Sequence, residues 1–263
     1  MYVQRVIEFV PPWLFYGGTV VLVLAAVGCG VWVGGRVRRR GKSKGDAPIG
    51  SIVGAILGLV AFMLAFTFGS ATSRFDTRKQ LLLEEANAIG TTYLRTDFLE
   101  IAMGEESRAL LRRYVDLRVD AGVSLPKVQA ALAESNTIQD RLWAMVRTLP
   151  DSGRDHELES LYVQSLNEMI DLQTKRATVA LQYRVPGSIW VMLYVVTVLA
   201  MMSVGYQFGY SGTKSRVMIL LLALSFSGVI YLIADLDRVG AGVLRVNQRP
   251  MIELQQRLQA TVP

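Results

Sequence analysis

The residues able to do chemistry are few. "LEEANAIG" at Leu83–Gly90 holds adjacent carboxylates, Glu84 and Glu85. A general acid–base pair must converge on one site, and neighbours on a helix point ~100° apart. They read instead as a solvated or inter-helix polar face, with Asn87 three residues after Glu84 and within bonding reach. "ADLDRVGAG" at Ala234–Gly242 offers Asp235, Asp237 and Arg238, charges expected at an interface or among helices. A calcium ion takes about six to eight oxygen ligands, and two aspartates do not supply them. His156 is the one histidine and Cys29 the one cysteine. A zinc centre of three or four ligands and a disulfide within the chain are therefore not predicted. GxSxG, HExxH and phosphate-loop patterns do not occur. No catalytic residue, metal or cofactor is assigned, and an enzyme is not the expected class.

The elements around these residues are strongly apolar. Of 263 residues, 51% are hydrophobic, and the mean hydropathy is +0.33. Uncharged runs fill Trp13–Gly35, Pro48–Ser73, Val185–Thr213 and Val217–Ala234. Each is about as long as a helix needs to cross ~30 Å of hydrocarbon. Lipid leaves backbone polar groups unpaired, so helices are the expected form. The first run is too long for a secretory h-region and ends in "GGRVRRRGKSKG" rather than a cleavage site, so it reads as a retained span. Trp13, Tyr16, Trp32, Trp190 and Tyr210 fall near span ends, where amphipathic rings meet headgroups.

Between spans two and three lies a polar, helical stretch. Phe75, Leu82, Ala86, Ile89 and Tyr93 recur at three- and four-residue spacing over Arg74–Leu99. Gly104 is expected to break the pattern before a helix at Glu105–Asp120, which ends at Gly122. Ser124 is the expected N-cap of Leu125–Leu149, with Pro126 in its first turn. "PDSG" at Pro150–Gly153 reads as a turn. Arg154–Tyr183 is the last long helix before Pro186, and a tail helix covers Pro250–Ala260. The predicted fold is an all-α membrane protein of four transmembrane helices, with a long-helix polar domain inserted between spans two and three. Its segments are 1–47 (first span and basic loop), 48–72 (second span), 73–186 (extramembrane domain), 187–234 (third and fourth spans) and 235–263 (tail). The second span has no breaker at its polar end, so Gly50–Leu99 reads as one helix ~75 Å long.

The net charge is +6. Six basic residues share the loop after the first span: Arg36, Arg38, Arg39, Arg40, Lys42 and Lys44. Such a cluster meets anionic lipid or sets topology. No motif or basic domain face points to nucleic acid. Charge density puts this loop in the cytoplasm, while the total of basic residues favours the opposite face. The side of the polar domain stays open.

Along the second span Gly50, Gly54, Gly58, Phe62 and Phe66 recur every four residues. Gly54 and Gly58 form a small-xxx-small pair suited to close helix packing. Phe62 and Phe66 suit packing against a neighbour, or a hydrophobic constriction where copies meet. "RFDTRK" follows, and Arg74, Arg78 and Lys79 would anchor the water boundary or ring a pore mouth. An Asp76–Lys79 pair at i,i+3 is expected there.

"LGLVAFMLAFTFGSATSRFDTRKQLLLEEANAIGTTYLR" resembles the bestrophin-like family of bacterial membrane proteins. "EEANAIGTTYLR", "LLRRYVDLR", "LNEMID" and "DLDRVGAG" are its most specific pieces, and the likeness runs from about Pro48 to Leu258. A more distant similarity is to bestrophins proper, pentameric anion channels with apolar neck residues at four-residue spacing before an Arg-aromatic step and an Arg-Lys pair. Arg74-Phe75 and Arg78-Lys79 look like that segment. Counted back from it, Phe66 and Phe62 fall at neck positions, and Gly58 stands where a third bulky residue would be. The acidic calcium clasp of animal bestrophins is not matched. The resemblance implies a multi-pass inner-membrane homo-oligomer, a pentamer, conducting small anions. The alternative is a non-conducting membrane sensor or scaffold whose helical domain binds a partner.

Overall fold

The computed structural model describes residues 10–40, 49–121, 125–149, 156–212, 215–238 and 242–260. Among these no strand occurs. The helices are α1 (Pro12–Arg39), α2 (Ile49–Arg95), α3 (Ile101–Asp120), α4 (Leu125–Val146), α5 (His156–Leu181), α6 (Gly187–Ser211), α7 (Arg216–Asp237) and α8 (Arg249–Ala260). Four are long and apolar enough to cross a membrane: α1, α2, α6 and α7. The chain forms two units. One comprises 1–73 and 184–244, the other 74–183 and 245–263. The tail helix α8 thus joins the polar unit.

In the membrane unit, α1 and α6 run parallel in close contact. A Cβ on Gly30 would lie 2.1 Å from the Met202 carbonyl oxygen, and one on Gly205 2.1 Å from that of Val27. Gly34 and Gly209 repeat the arrangement one turn on. Two small-xxx-small pairs therefore let the backbones touch, the packing lipid favours because tails and apolar side chains are equally oily. Val23, Ala26, Val27, Met201 and Ala223 fill the buried core. Thr19 Oγ1 and the Tyr194 hydroxyl, 3.0 Å apart, satisfy each other within it. α7 returns antiparallel to α1, with Tyr231 edge-on to Tyr16. Its N-cap is Ser215, whose hydroxyl accepts from the Met218 amide at 3.4 Å. α6 ends at Gly212, whose φ of 75° is left-handed and suits glycine.

In the polar unit, Leu82, Ile89, Leu111, Tyr114, Leu142, Tyr162, Leu166 and Met169 form the core. α8 closes it with Met251, Leu254 and Leu258. Arg112 Nε donates to the Leu258 carbonyl at 3.2 Å, and Gln255 Nε2 to Asp116 at 2.7 Å.

Several expected boundaries shift. Gly104 does not break a helix: it lies inside α3, and a Cβ there would sit 2.8 Å from the Thr96 carbonyl oxygen. The glycine serves close approach. The break falls at Thr96–Phe98, a short 3-10 turn, where the Thr96 hydroxyl bonds the Tyr93 carbonyl at 2.7 Å and Leu99 turns extended. α4 ends at Val146, and the chain turns through Thr148 and Leu149. Ser124, "PDSG", Lys42, Lys44 and Gly240 lie outside the described residues. The unbroken second helix is present: α2 runs 47 residues, about 70 Å.

Candidate pore helix and buried charge cluster

α2 presents two faces. Val53, Val60, Leu64, Thr67 and Ala71 are buried, in one stripe of three-, four- and seven-residue steps. Phe62 and Phe66 lie two residues either side of Leu64, hence ~160° from it around the axis. Both are 69% exposed. Among the described residues, nothing outside the helix's own backbone comes within 4 Å of where a Cβ would stand on Gly54 or Gly58. Gly30, Gly34, Gly205 and Gly209, which carry the same spacing signal, are instead packed tightly against a partner helix. The face that holds Gly54, Gly58, Phe62 and Phe66 is left uncovered by the described residues.

Past the span, Lys79 Nζ lies 3.5 Å from Asp76, both more than half exposed, as the spacing predicts. Such a pair contributes about 1 kcal/mol at most. Arg78 and Lys79 lie over the Phe75 ring at 5.8 and 5.9 Å from its centre. Arg74 and Arg78 are half-buried.

Ten and eleven residues after Arg74, the two glutamates part. Glu84 takes a 2.9 Å bond from Gln80 rather than from Asn87, which is exposed. Glu85 turns inward and is fully buried. Tyr114 and Arg118, one turn apart on α3, both reach it. Arg118 Nη2 stands 3.1 Å from Glu85 Oε1, and Arg176 of α5 binds Oε2. The Tyr114 hydroxyl lies 3.0 Å from Glu85 Oε1 and 2.7 Å from the Gln173 side-chain amide. A phenol has one proton to give. Glu85 Oε1 and Gln173 Oε1 are both acceptors within its reach. Gln173 bonds onward to Gln139 and Asn136 of α4, each at 2.7 Å. Arg176 also donates to Gln248, ahead of α8, at 3.2 Å. One carboxylate thus ties together α2, α3, α4, α5 and the lead into α8.

Burial alone would raise the Glu85 pKa, but Arg118 and Arg176 more than offset it and hold the carboxyl below its ordinary value. Burial, then the facing Glu85 charge, pushes the Tyr114 phenol well above its ordinary range. The carboxylate is ionised and bonded through both oxygens, which suits holding helices in register. It presents no free base or nucleophile to a substrate.

A second set of buried charges closes the membrane unit. Asp235 accepts from the amides of Val243 at 2.9 Å and Leu244 at 2.7 Å. Asp237 accepts from the Val185 amide at 2.9 Å, and Arg238 donates to the Val10 carbonyl at 3.0 Å. Gly242 is required here, since a Cβ would fall 2.7 Å from Asp235 Oδ1. Among the described residues no group of three or more metal-ligating side chains converges.

The buried cluster is what spacing arguments missed. Its signal was present, because an arginine at i+4 from an aromatic inside an apolar stripe must be paired if that stripe is buried. "EEANAIGTTYLR" supplies Glu85, "LLRRYVDLR" supplies Tyr114 and Arg118, and "DLDRVGAG" supplies the second set of charges.

The fold is shared with a solved protein. The crystal structure of a point variant of a bacterial bestrophin homologue from Klebsiella pneumoniae superposes with a TM-score of 0.66, over 92% of this chain and 97% of that one, at 15% identity. No curated protein matches the sequence. The family model for the bestrophin-like domain matches residues 20–251. With most of its length inside that match, the chain belongs to the bestrophin-like family.

Proposed function

We propose that copies of this chain assemble around α2 into a pore for small anions, with Phe62 and Phe66 as its constriction. The observation that carries the reading is the 69% exposure of both phenylalanines on the side of α2 that the described residues leave bare. The resemblance to bestrophins proper gives that face a central axis and the assembly a count of five. Gly54 and Gly58 then allow neighbouring copies of α2 to come close. Rings of phenylalanine in a narrow pore gate by excluding water. Arg74, Arg78 and Lys79 add positive charge past the constriction, which raises local anion concentration.

Planar-bilayer recording of the purified protein tests this. The wild type passes chloride in preference to potassium, and Phe62→Ala/Phe66→Ala widens the neck and raises conductance. Silence of both proteins refutes the pore. A monomer or dimer in detergent, by mass, supports the sensor or scaffold reading in its place.

A further inference from the structure

The positive charge of this sequence is concentrated in two short stretches. Arg36, Arg38, Arg39, Arg40, Lys42, Lys44, Lys214 and Arg216 are accompanied there by one acid, Asp46, a net +7. The whole chain carries +6, so everything else together is at −1. The fold brings the described members to one place. α1 and α6 are parallel, so their C-terminal ends coincide, and Gly212 at the end of α6 lies against the Arg38 guanidinium. α7 is antiparallel to α1, with Arg238 at its C-terminal end over the Phe15 ring near the start of α1. Arg216, which opens α7, therefore lies at the arginine-rich end. The described acids of this unit, Asp235 and Asp237, sit at the far end of α7, ~30 Å away.

The arginines are placed at headgroup depth. Trp32 is 63% exposed in the last apolar turn of α1, and the Arg36 guanidinium stacks over its ring at 5.0 Å. Arg36 is one turn beyond Trp32, and Arg40 one further, so the charges span ~6–12 Å past the belt residue. That is where lipid phosphates lie. Arg38 lies against Gly212 at the end of α6, and Arg36, Arg38, Arg39 and Arg40 are all exposed.

We infer that this end of the membrane unit is a binding surface for anionic phospholipid headgroups, gathered from the surrounding leaflet by Arg36, Arg39 and Arg40. A bilayer phosphate fits better than a soluble polyanion, because the cations follow the span directly and share their helix with an interfacial tryptophan.

Native mass spectrometry of the full chain in detergent tests it, with equimolar phosphatidylglycerol and phosphatidylcholine of identical acyl chains. The wild type retains phosphatidylglycerol preferentially. Arg36→Gln/Arg39→Gln/Arg40→Gln lowers that preference by about fivefold per arginine removed. Arg36→Lys/Arg39→Lys/Arg40→Lys keeps it. Lys127→Gln/Arg147→Gln/Lys175→Gln removes as many exposed charges from the polar unit and leaves it unchanged. In the wild type, which needs no variant to fold, raising the salt about tenfold erodes the preference through screening. Equal retention of both lipids overturns the inference. So does a preference that survives the arginine-to-glutamine triple or is salt-independent, or an oligonucleotide that displaces the bound lipid.

Discussion

Glu85→Gln is the sharpest perturbation of the polar unit. The substitution keeps shape and removes one charge. Glu85 is fully buried and is the carboxylate shared by Arg118 and Arg176. Its loss leaves two guanidiniums facing each other, with a neutral amide offering two donors where acceptors are needed. Breaking a buried ion pair by removing one partner costs about 3–5 kcal/mol. A domain holds only ~5–15 kcal/mol in total. The unit has roughly 130 residues, where 1 kcal/mol moves Tm by about 3–5 °C. The expected drop is therefore ~10–20 °C, measured by thermal unfolding of the purified full chain. Arg118→Met should cost less, because Glu85 keeps Arg176. Glu85→Gln/Arg176→Gln should be less destabilised than the sum of its singles, since the second change relieves the repulsion made by the first. A Tm within about 3 °C of wild type for Glu85→Gln, or strict additivity, would refute the claim that Glu85 organises this core.

Four further outcomes follow from the same geometry. Because the Glu85 pKa is held below its ordinary value, its stabilisation is present above an unfolded pKa of ~4.3 and is lost as pH falls through the lower folded one. Thermal melts from pH 7 to pH 3 should show this loss in the wild type, and Glu85→Gln should lack that component. Gly205→Leu places side-chain atoms where α1 backbone already stands and should abolish the folded peak in fluorescence-detected size-exclusion chromatography. Gly54→Leu, with open space around it, should leave the fold of the chain intact and alter only contacts between copies. Asp235→Ala strips the acceptor from two amides and should cost about 2–3 kcal/mol, read as faster limited proteolysis near Val243 and Leu244.

Much of this fold was legible because its signals are local. Uncharged runs of bilayer length dictate four helices, and the lack of a breaker after Ser73 dictates one long α2. The Asp76–Lys79 pair follows from spacing alone, and so does the divergence of Glu84 from Glu85. Sequence could not say which face of α2 is covered. Gly54-xxx-Gly58 and Gly30-xxx-Gly34 carry the same pattern, yet among the described residues only the second meets a partner helix. That choice depends on where α6 lies, which is a long-range fact.

Glu85 shows the same division. Its charge and its angle from Glu84 are properties of a helix. Its burial depends on α3 and α5 delivering Arg118 and Arg176, residues 33 and 91 positions away. Gly104 is the converse case: a glycine looks like a helix stop until a carbonyl from a preceding turn is found where its Cβ would be. The sequence by itself determined what each segment can be in lipid or water, because solvation and helix geometry act residue by residue. The tertiary structure decided which polar groups are paired, which glycines are touched and which phenylalanines are left bare, because those depend on helices far apart in the chain meeting in space.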